Sequence, residues 1–200
     1  MPRLMPAILA MAATVLASNI LVQFMLGDWL TWGALTYPIA FLVTDLTNRI
    51  HGVRDARRVV LAGFAVGVAS SLVAAGFDKT TLRIAIGSGT AFLVAQLVDV
   101  AVFDRLRFRS WWQAPFLSSL VGSAIDTALF FSIAFAAALP ADANTGWANE
   151  LVPLLGHGPA LPLWQSLAAA DWGVKMALAV LALVPYNGLV RKILSRPVEN

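Results

Sequence analysis

Ionisable residues inside apolar segments are the features of this sequence that could carry chemistry. Asp45, Asp99, Asp126, Asp171 and Lys175 each lie within a long apolar stretch. If those stretches cross a membrane, each charge costs at least about 2.5–3.5 kcal/mol on insertion scales, so such residues mark functional sites. We therefore take these five as the starting point for a binding site or a transport path.

Further polar residues recur around these groups at helical spacing. The sets are Asn19 with Gln23, Asp45 with Asn48, Gln96 with Asp99, Ser119 and Ser123 with Asp126, and Asp171 with Lys175. Residues three, four or seven positions apart share one face of a helix. Each set therefore occupies one helix face, as it must if that face lines an interior cavity rather than lipid.

The side-chain types in these sets suit a planar heterocycle rich in N–H donors. A carboxylate accepts two parallel N–H bonds, and Asn or Gln amides donate to a ring carbonyl. Trp32 and Tyr37 are the candidates for stacking on a flat ring. The same set suits an organic cation but not an anion, because Lys175 is the only basic residue deep inside the apolar stretches.

Structural roles compete with a binding role for most of these residues. The alternatives are an ion pair of Asp45 with Arg49, an ion pair of Asp99 with Arg105, an ion pair of Asp171 with Lys175, and an interhelical hydrogen bond from Asn19. Asp126 has no basic residue nearby in the sequence. A purely structural role is therefore hardest to assign to Asp126.

Membrane-spanning helices are the elements that must position these residues. Of the 200 residues, 59% are hydrophobic and only 12% are charged, whereas about a quarter of a soluble domain is charged. A helix needs about 20 mostly apolar residues to span roughly 30 Å of hydrocarbon. The stretches that qualify are 5–26, 29–48, 59–77, 82–103, 112–139 and 163–190, with Pro185 as a predicted kink. The sequence thus predicts an all-α fold, a single six-transmembrane-helix bundle over residues 1–200.

Basic residues predict the orientation of this polytopic membrane protein. Eleven of the 14 lie before the first stretch or after the second, fourth and sixth stretches. With six spans, all four of these segments lie on one side, and the positive-inside rule places that side and both termini in the cytoplasm. Segment 140–162 then lies outside, as a loop or a short interfacial helix. A cleaved signal peptide is disfavoured because the first apolar run is too long.

Several functional classes lack their characteristic residues here. The chain has no cysteine, and its two histidines, His51 and His157, fall in loops on opposite predicted sides. No Gly-rich phosphate-binding loop of the P-loop type occurs. We therefore predict no metal site, no cofactor and no enzymatic activity. The net charge of +3 is explained by cytoplasmic loops, so no nucleic-acid partner is predicted.

Motifs in five of the six stretches carry a family resemblance. They are Ser18-Asn19 with Val22-Gln23; Thr31-Trp32-Gly33-Ala34 followed by Tyr37-Pro38 and Thr44-Asp45-Leu46-Thr47-Asn48-Arg49; Gln96-Leu97-Val98-Asp99 with Arg105-Leu106-Arg107; Ser118-Ser119, Gly122 and Asp126-Thr127; and Asp171, Lys175, Pro185 and Gly188. Together they resemble the queuosine precursor transporters. That family belongs to the vitamin uptake group, which is related to the substrate-binding components of energy-coupling factor transporters.

The resemblance implies import of 7-cyano- or 7-aminomethyl-7-deazaguanine, precursors for queuosine modification of tRNA, across the cell inner membrane. It implies that Asp126 or Asp99 accepts the guanine-like N–H edge, that Trp32 or Tyr37 stacks, and that Lys175 faces the ring carbonyl or neutralises Asp171. The substrate-binding residues expected on this basis are Asn19, Gln23, Trp32, Tyr37, Asp45, Asn48, Gln96, Asp99, Asp126 and Lys175.

Three mechanisms and assemblies remain open at this stage. The chain could be a solitary transporter that alternates between inward- and outward-open states, driven by trapping of the base or by proton coupling through an aspartate. It could instead be the substrate-binding subunit of an energy-coupling factor-type transporter, with a separate ATPase module docked at Ala13 and Ala17. A third alternative is a membrane assembly protein whose aspartates only join helices. A homodimer is compatible with each.

Overall fold

The fold is built mainly from helices. A computed structural model describes residues 2–36, 38–139 and 145–194. The helices are α1 (Met5–Leu21), α2 (Trp32–Thr36), α3 (Pro38–His51), α4 (Val53–Gly76), α5 (Leu82–Leu106), α6 (Gln113–Phe135) and α7 (Leu163–Leu194). Short 3-10 turns cover Pro2–Leu4, Gly146–Asn149 and Leu154–Gly156. Two antiparallel ribbons pair β1 (Met25–Leu26) with β2 (Leu30–Thr31), and β3 (Leu151–Pro153) with β4 (Ala160–Pro162).

Helices α4 to α7 are long and apolar enough to cross a membrane. They have 24, 25, 23 and 32 residues, and at about 1.5 Å of rise per residue each exceeds the roughly 30 Å hydrocarbon core. Helix α1 is also apolar but has only 17 residues. The prediction of an all-α, multi-pass membrane protein is confirmed, whereas the count of six spans stays a prediction.

The second predicted stretch is helical over most of its length. Helix covers Trp32–Thr36 and again Pro38–His51, on either side of Tyr37, which lies outside the described residues. Trp29 lies in a turn and Leu30–Thr31 form β2, so the helix predicted over 29–48 begins later than expected. Helix α7, by contrast, continues through Pro185 to Leu194.

The first predicted segment ends earlier than expected. Helix α1 ends at Leu21, so Gln23 follows the helix rather than sharing a face with Asn19.

The segment predicted as a loop or a short interfacial helix is a structured loop in its described part. Within 145–162 the chain forms 3-10 turns and the β3–β4 ribbon. Trp147, in the 3-10 turn Gly146–Asn149, packs against Phe135 at the end of α6, with ring centroids 5.7 Å apart. This turn therefore lies against the end of α6.

Apolar packing holds the long helices together in separate clusters. Met11 of α1, Val59 and Val60 of α4, and Phe92 of α5 are buried in one cluster. At the other end of α5, Phe103 packs with Tyr186 of α7 in an edge-on arrangement with centroids 6.3 Å apart. The bundle is thus closed by contacts between α1, α4 and α5 and between α5, α6 and α7.

The segments that carry most of the basic residues meet at one end of the bundle. Arg3 forms an ion pair of 3.3 Å with Asp55 at the start of α4. Arg49 at the end of α3 donates to the carbonyl of Arg107, which follows α5. Val190, in the last turns of α7, packs beside the end of α5. The beginnings of α1 and α4 therefore lie beside the ends of α3, α5 and α7, as the charge pattern predicts.

Candidate functional site

A cavity with a mixed polar and apolar wall lies between α3, α6 and α7. Its empty space of about 370 Å³ includes the open mouth, and the enclosed part has room for little more than a water molecule. The lining residues are Pro38, Phe41, Leu42, Asp45, Pro115, Ser119, Ser123, Lys175, Ala179, Ala182, Leu183 and Tyr186. One carboxylate, one ammonium and three hydroxyl groups therefore face a pocket that is otherwise apolar.

Lys175 forms the centre of a buried ion cluster at one side of this cavity. Its Nζ lies 2.7 Å from Asp126 Oδ2 on α6 and 2.5 Å from Asp171 Oδ2 one turn earlier on α7. It also donates to Thr127 Oγ1 at 3.2 Å, and Thr127 donates to Asp171 at 2.8 Å. This geometry confirms the ion pair of Asp171 with Lys175, and it gives Asp126, which has no basic residue nearby in the sequence, a basic partner from α7.

Asp45 forms the opposite polar wall, in the middle of α3. Its side chain is buried, and Oδ1 accepts a hydrogen bond of 3.2 Å from Ser118 on α6. The carboxyl of Asp99 on α5 lies beside Asp45 and Ser118. The Arg49 guanidinium instead donates a hydrogen bond to the carbonyl of Arg107. The predicted helix-end ion pair of Asp45 with Arg49 is therefore wrong.

Gln96, Asn48 and Asp99 are fully buried behind Asp45, between α3 and α5. Thr44 donates to Gln96 Oε1 at 2.6 Å, and Asn48 Nδ2 donates to the carbonyl of Val100 at 3.0 Å. Both oxygens of Asp99 have no hydrogen-bond partner among the described residues, so an ion pair with Arg105 is not formed. None of the three lines the cavity.

The two predicted residues near the end of α1 lie away from the cavity. Asn19 Nδ2 donates to Ser70 Oγ of α4 at 2.5 Å, which is the interhelical hydrogen bond considered as its structural alternative. Asn19 also lines a second cavity of about 320 Å³ between α1, α4 and α5. Gln23 is exposed beyond the end of α1. These side chains therefore belong to a separate part of the bundle.

The aromatic residues predicted to stack on a ligand occupy different positions. Trp32 begins α2 with 46% of its surface exposed and does not line the first cavity. Tyr37 lies outside the described residues. Tyr186, which the sequence argument missed, lines the cavity three turns along α7 from Lys175. The spacing of 11 residues between them is the signal that could have found it, because such residues share a helix face.

The described residues contain no group of three or more His, Asp or Glu side chains placed to hold a metal ion. The polar groups that do converge can accept N–H bonds through Asp45 and donate through serine, tyrosine and lysine. Such a set orients a small planar molecule by its edges while the apolar wall excludes water. The site is therefore suited to binding a small molecule of this kind.

Comparison with known proteins places this architecture in a family. The family model described as "Putative vitamin uptake transporter" matches residues 31–190. The chain belongs to this vitamin uptake transporter family. The match includes α2 to α6 and most of α7, and hence every residue that lines the first cavity.

Characterised and probable relatives are similar over most of the chain. A probable queuosine precursor transporter of Haemophilus influenzae is 36% identical over 84% of this chain and 72% of its own length. The queuosine precursor transporter of Escherichia coli K12 is 33% identical over 90% of this chain and 82% of its own. A probable queuosine precursor transporter of Bacillus subtilis is 26% identical. No solved structure matches the chain.

Proposed function

We propose that this protein imports deazaguanine precursors of queuosine, namely 7-cyano-7-deazaguanine, 7-aminomethyl-7-deazaguanine or both, across the inner membrane. The observation that carries the proposal is the cavity between α3, α6 and α7, which presents an acceptor and several donors to one small pocket. The relatives named for queuosine precursors, at 36% and 33% identity, support this choice of substrate.

The chemistry of a deazaguanine complements the two polar walls of the cavity. The ring offers adjacent N–H donors on one edge and a carbonyl oxygen, and its faces are flat and apolar. We assign the N–H edge to the Asp45 carboxylate and the carbonyl to donors on α6 and α7, among them Ser119 and Lys175. Asp126 holds Lys175 in position through its 2.7 Å ion pair. Carboxylate-to-N–H bonds are charge-assisted, so Asp45 should contribute most to affinity.

The remaining predicted residues take supporting roles in this proposal. Asn48 and Gln96 tie α3 to α5 and hold the backbone that carries Asp45. Tyr37 precedes Pro38, a residue of the cavity wall, and is retained as a stacking candidate. Asn19, Gln23 and Trp32 do not line this cavity, so the proposal gives them no contact with the bound ring.

We also propose six membrane spans, with both termini in the cytoplasm. Helix α1 is an apolar span of 17 residues, and α2 with α3 supplies the sixth crossing. The supporting observation is the meeting of Arg3, Arg49 and Arg107 at one end of the bundle, which the positive-inside rule assigns to the cytoplasm. Cysteines introduced singly at Asp104 and Asp78 test this: a membrane-impermeant thiol reagent added to intact cells should label only the second.

The decisive experiment measures uptake in a strain that can neither make nor import queuosine precursors. Cells expressing the chain receive nanomolar precursor, and queuosine in their tRNA is assayed. We expect queuosine to appear only with the protein. Failure of uptake with retained binding by the purified protein would instead indicate an energy-coupling factor-type subunit that needs its own ATPase module. Loss of both would favour a membrane assembly protein.

A matched pair of substitutions tests the site by substrate binding to the purified protein. Asp45→Asn should raise the dissociation constant by about 10- to 150-fold, because a hydrogen bond to a charged group contributes about 1.5–3 kcal/mol. Asp104→Asn is the control, since Asp104 lies at the end of α5, is 39% exposed and pairs with Arg107. Equal affinity of the Asp45 variant and the wild type would remove Asp45 from the site.

A further inference from the structure

Two buried acidic groups in the bundle differ in how their charge is balanced. Around Lys175, an ammonium lies 2.7 Å and 2.5 Å from the carboxylates of Asp126 and Asp171. The second group, Asp45 with Asp99, has only the Ser118 hydroxyl, which donates to Asp45 at 3.2 Å. Neither member of this second group forms an ion pair within the described part of the chain.

The Asp45–Asp99 pair is among the most completely enclosed features of the molecule. The two residues are 2% and 0% exposed, and both carboxylate oxygens of Asp99 lack a hydrogen bond from any described residue. Burying a charged carboxylate without a partner costs much free energy, and a second carboxylate beside it raises that cost further. The pair is therefore neutralised by a proton or by another cation, since no side chain of the described residues forms an ion pair with it.

A neighbouring amide oxygen points to the same requirement. Asn48 lies one turn beyond Asp45 on α3, and its Nδ2 donates to the carbonyl of Val100, the residue directly after Asp99. Its Oδ1 is buried and has no hydrogen-bond partner in the described ranges. Carboxylate, amide and hydroxyl oxygens together form the ligand set that hard cations prefer.

The basic groups that surround the pair are already engaged elsewhere. On α3, Arg49 donates to the carbonyl of Arg107, and after α5, Arg107 pairs with Asp104 at 3.1 Å. On α7, Lys175 is held by its own two carboxylates, and Tyr186 carries a neutral hydroxyl. From α6 only the hydroxyl of Ser118 approaches the pair.

We propose that Asp45 and Asp99, with the Asn48 amide oxygen, bind one monovalent cation, a proton or a sodium ion, that is transported together with the substrate. This inference rests on the proposed function. Asp45 belongs both to the pair and to the wall of the substrate cavity, whereas Asp99 lies behind it. Cation and substrate therefore share one side chain, and by linkage each changes the affinity for the other. The cation gradient then supplies the energy that a chain without an ATP site needs for accumulation.

Proteoliposomes with purified protein test the coupling directly. Labelled 7-cyano-7-deazaguanine is supplied outside at a clamped membrane potential, with an inward proton gradient, an inward sodium gradient, or neither. We expect one of the two gradients to raise the internal concentration severalfold above the external concentration, and that arm identifies the cation. Equilibration to the same level in all three arms would overturn the proposal.

Asp99→Asn removes one charge of the pair without changing its shape. We expect its accumulation ratio to fall to about one in every arm, while exchange of labelled for unlabelled substrate, which requires no net cation movement, continues. Asp104→Asn on the same helix is the control and should accumulate like the wild type. Gradient-driven accumulation by Asp99→Asn would contradict the assignment. Failure of the wild type to exchange substrate at all would instead refute the proposed function.

A measurement without substrate separates cation binding from transport. A ligand that binds only the folded state raises its melting temperature as its concentration rises. Raising sodium at constant ionic strength, or lowering pH within the mildly acidic range, should raise the melting temperature of the wild type more than that of Asp99→Asn. Identical responses of the two proteins to both titrations would overturn the cation site even if transport is observed.

Discussion

Lys175→Met tests whether the ion cluster on α6 and α7 is a single electrostatic unit. The wild-type cluster holds two carboxylates and one ammonium, with side chains 5%, 15% and 6% exposed for Asp126, Asp171 and Lys175. Methionine keeps the apolar stem but removes the ammonium that both carboxylates share. Asp171 is the more exposed and can hydrate, so the loss is dominated by Asp126. Removing one partner of a buried pair costs about 3–5 kcal/mol.

The expected loss of stability distinguishes Lys175→Met from a variant that loses only one of the two carboxylates. Asp171→Asn leaves the 2.7 Å pair of Asp126 with Lys175, and the new amide oxygen still accepts from Thr127. Its cost should be that of one ordinary hydrogen bond, about 0.5–1.5 kcal/mol. At about 2–4 °C per kcal/mol for a chain of this size, Lys175→Met should lower the melting temperature by about 6–20 °C and Asp171→Asn by about 1–6 °C.

Intrinsic fluorescence of the detergent-purified protein during heating measures both values, since the chain contains seven tryptophans. The double variant Lys175→Met with Asp126→Asn is the critical comparison. It removes the uncompensated carboxylate, so it should melt above Lys175→Met alone despite carrying one more substitution. A Lys175→Met protein within about 2 °C of the wild type, or a double variant that melts lower still, would refute the reasoning.

Two further substitutions test the packing around the cavity. Gly122→Ala places a Cβ 2.8 Å from Phe41 Cε1 and 3.2 Å from Asp99 Cβ, so overpacking should cost about 1–3 kcal/mol and lower the melting temperature by about 2–12 °C. Gly188→Ala, where no atom lies within 4 Å, is the control and should melt at or above the wild type. Tyr186→Phe removes a buried hydroxyl that has no hydrogen-bond partner among the described residues, so its melting temperature should equal or exceed that of the wild type. A decrease of more than about 2 °C would reveal a partner for that hydroxyl.

Local sequence patterns correctly predicted those features that depend on the residues of a single helix. Long apolar runs correctly indicated α4 to α7, because length and hydropathy alone determine whether a helix can span a membrane. The ion pair of Asp171 with Lys175 was also predictable, since it joins residues one turn apart on one helix. Hydropathy did not reveal that helix begins only at Trp32, because Leu30 and Thr31 before it form a strand of the β1–β2 ribbon instead.

Pairs between helices were not predictable from the same patterns. Lys175 could be placed on α7 and Asp126 on α6, but spacing within each helix does not say which faces meet. Asn19 and Asp45 have the same kind of sequence neighbourhood, yet one lines the second cavity and the other lines the first. A polar residue on an apolar helix must turn inward, but the neighbour it meets depends on the arrangement of the whole bundle.

The sequence by itself determined that the chain is a helical membrane protein with its positive charge concentrated at alternate loops. Those properties follow from hydropathy and from the cost of burying charge, which act on each segment independently. Only the tertiary structure decided that Lys175 pairs with Asp126, while Asp45 and Asp99 meet with no ion pair to any other described residue. The reason is physical: charge balance in a bundle interior depends on distances of a few ångströms between helices, and those distances are set by packing across the whole molecule.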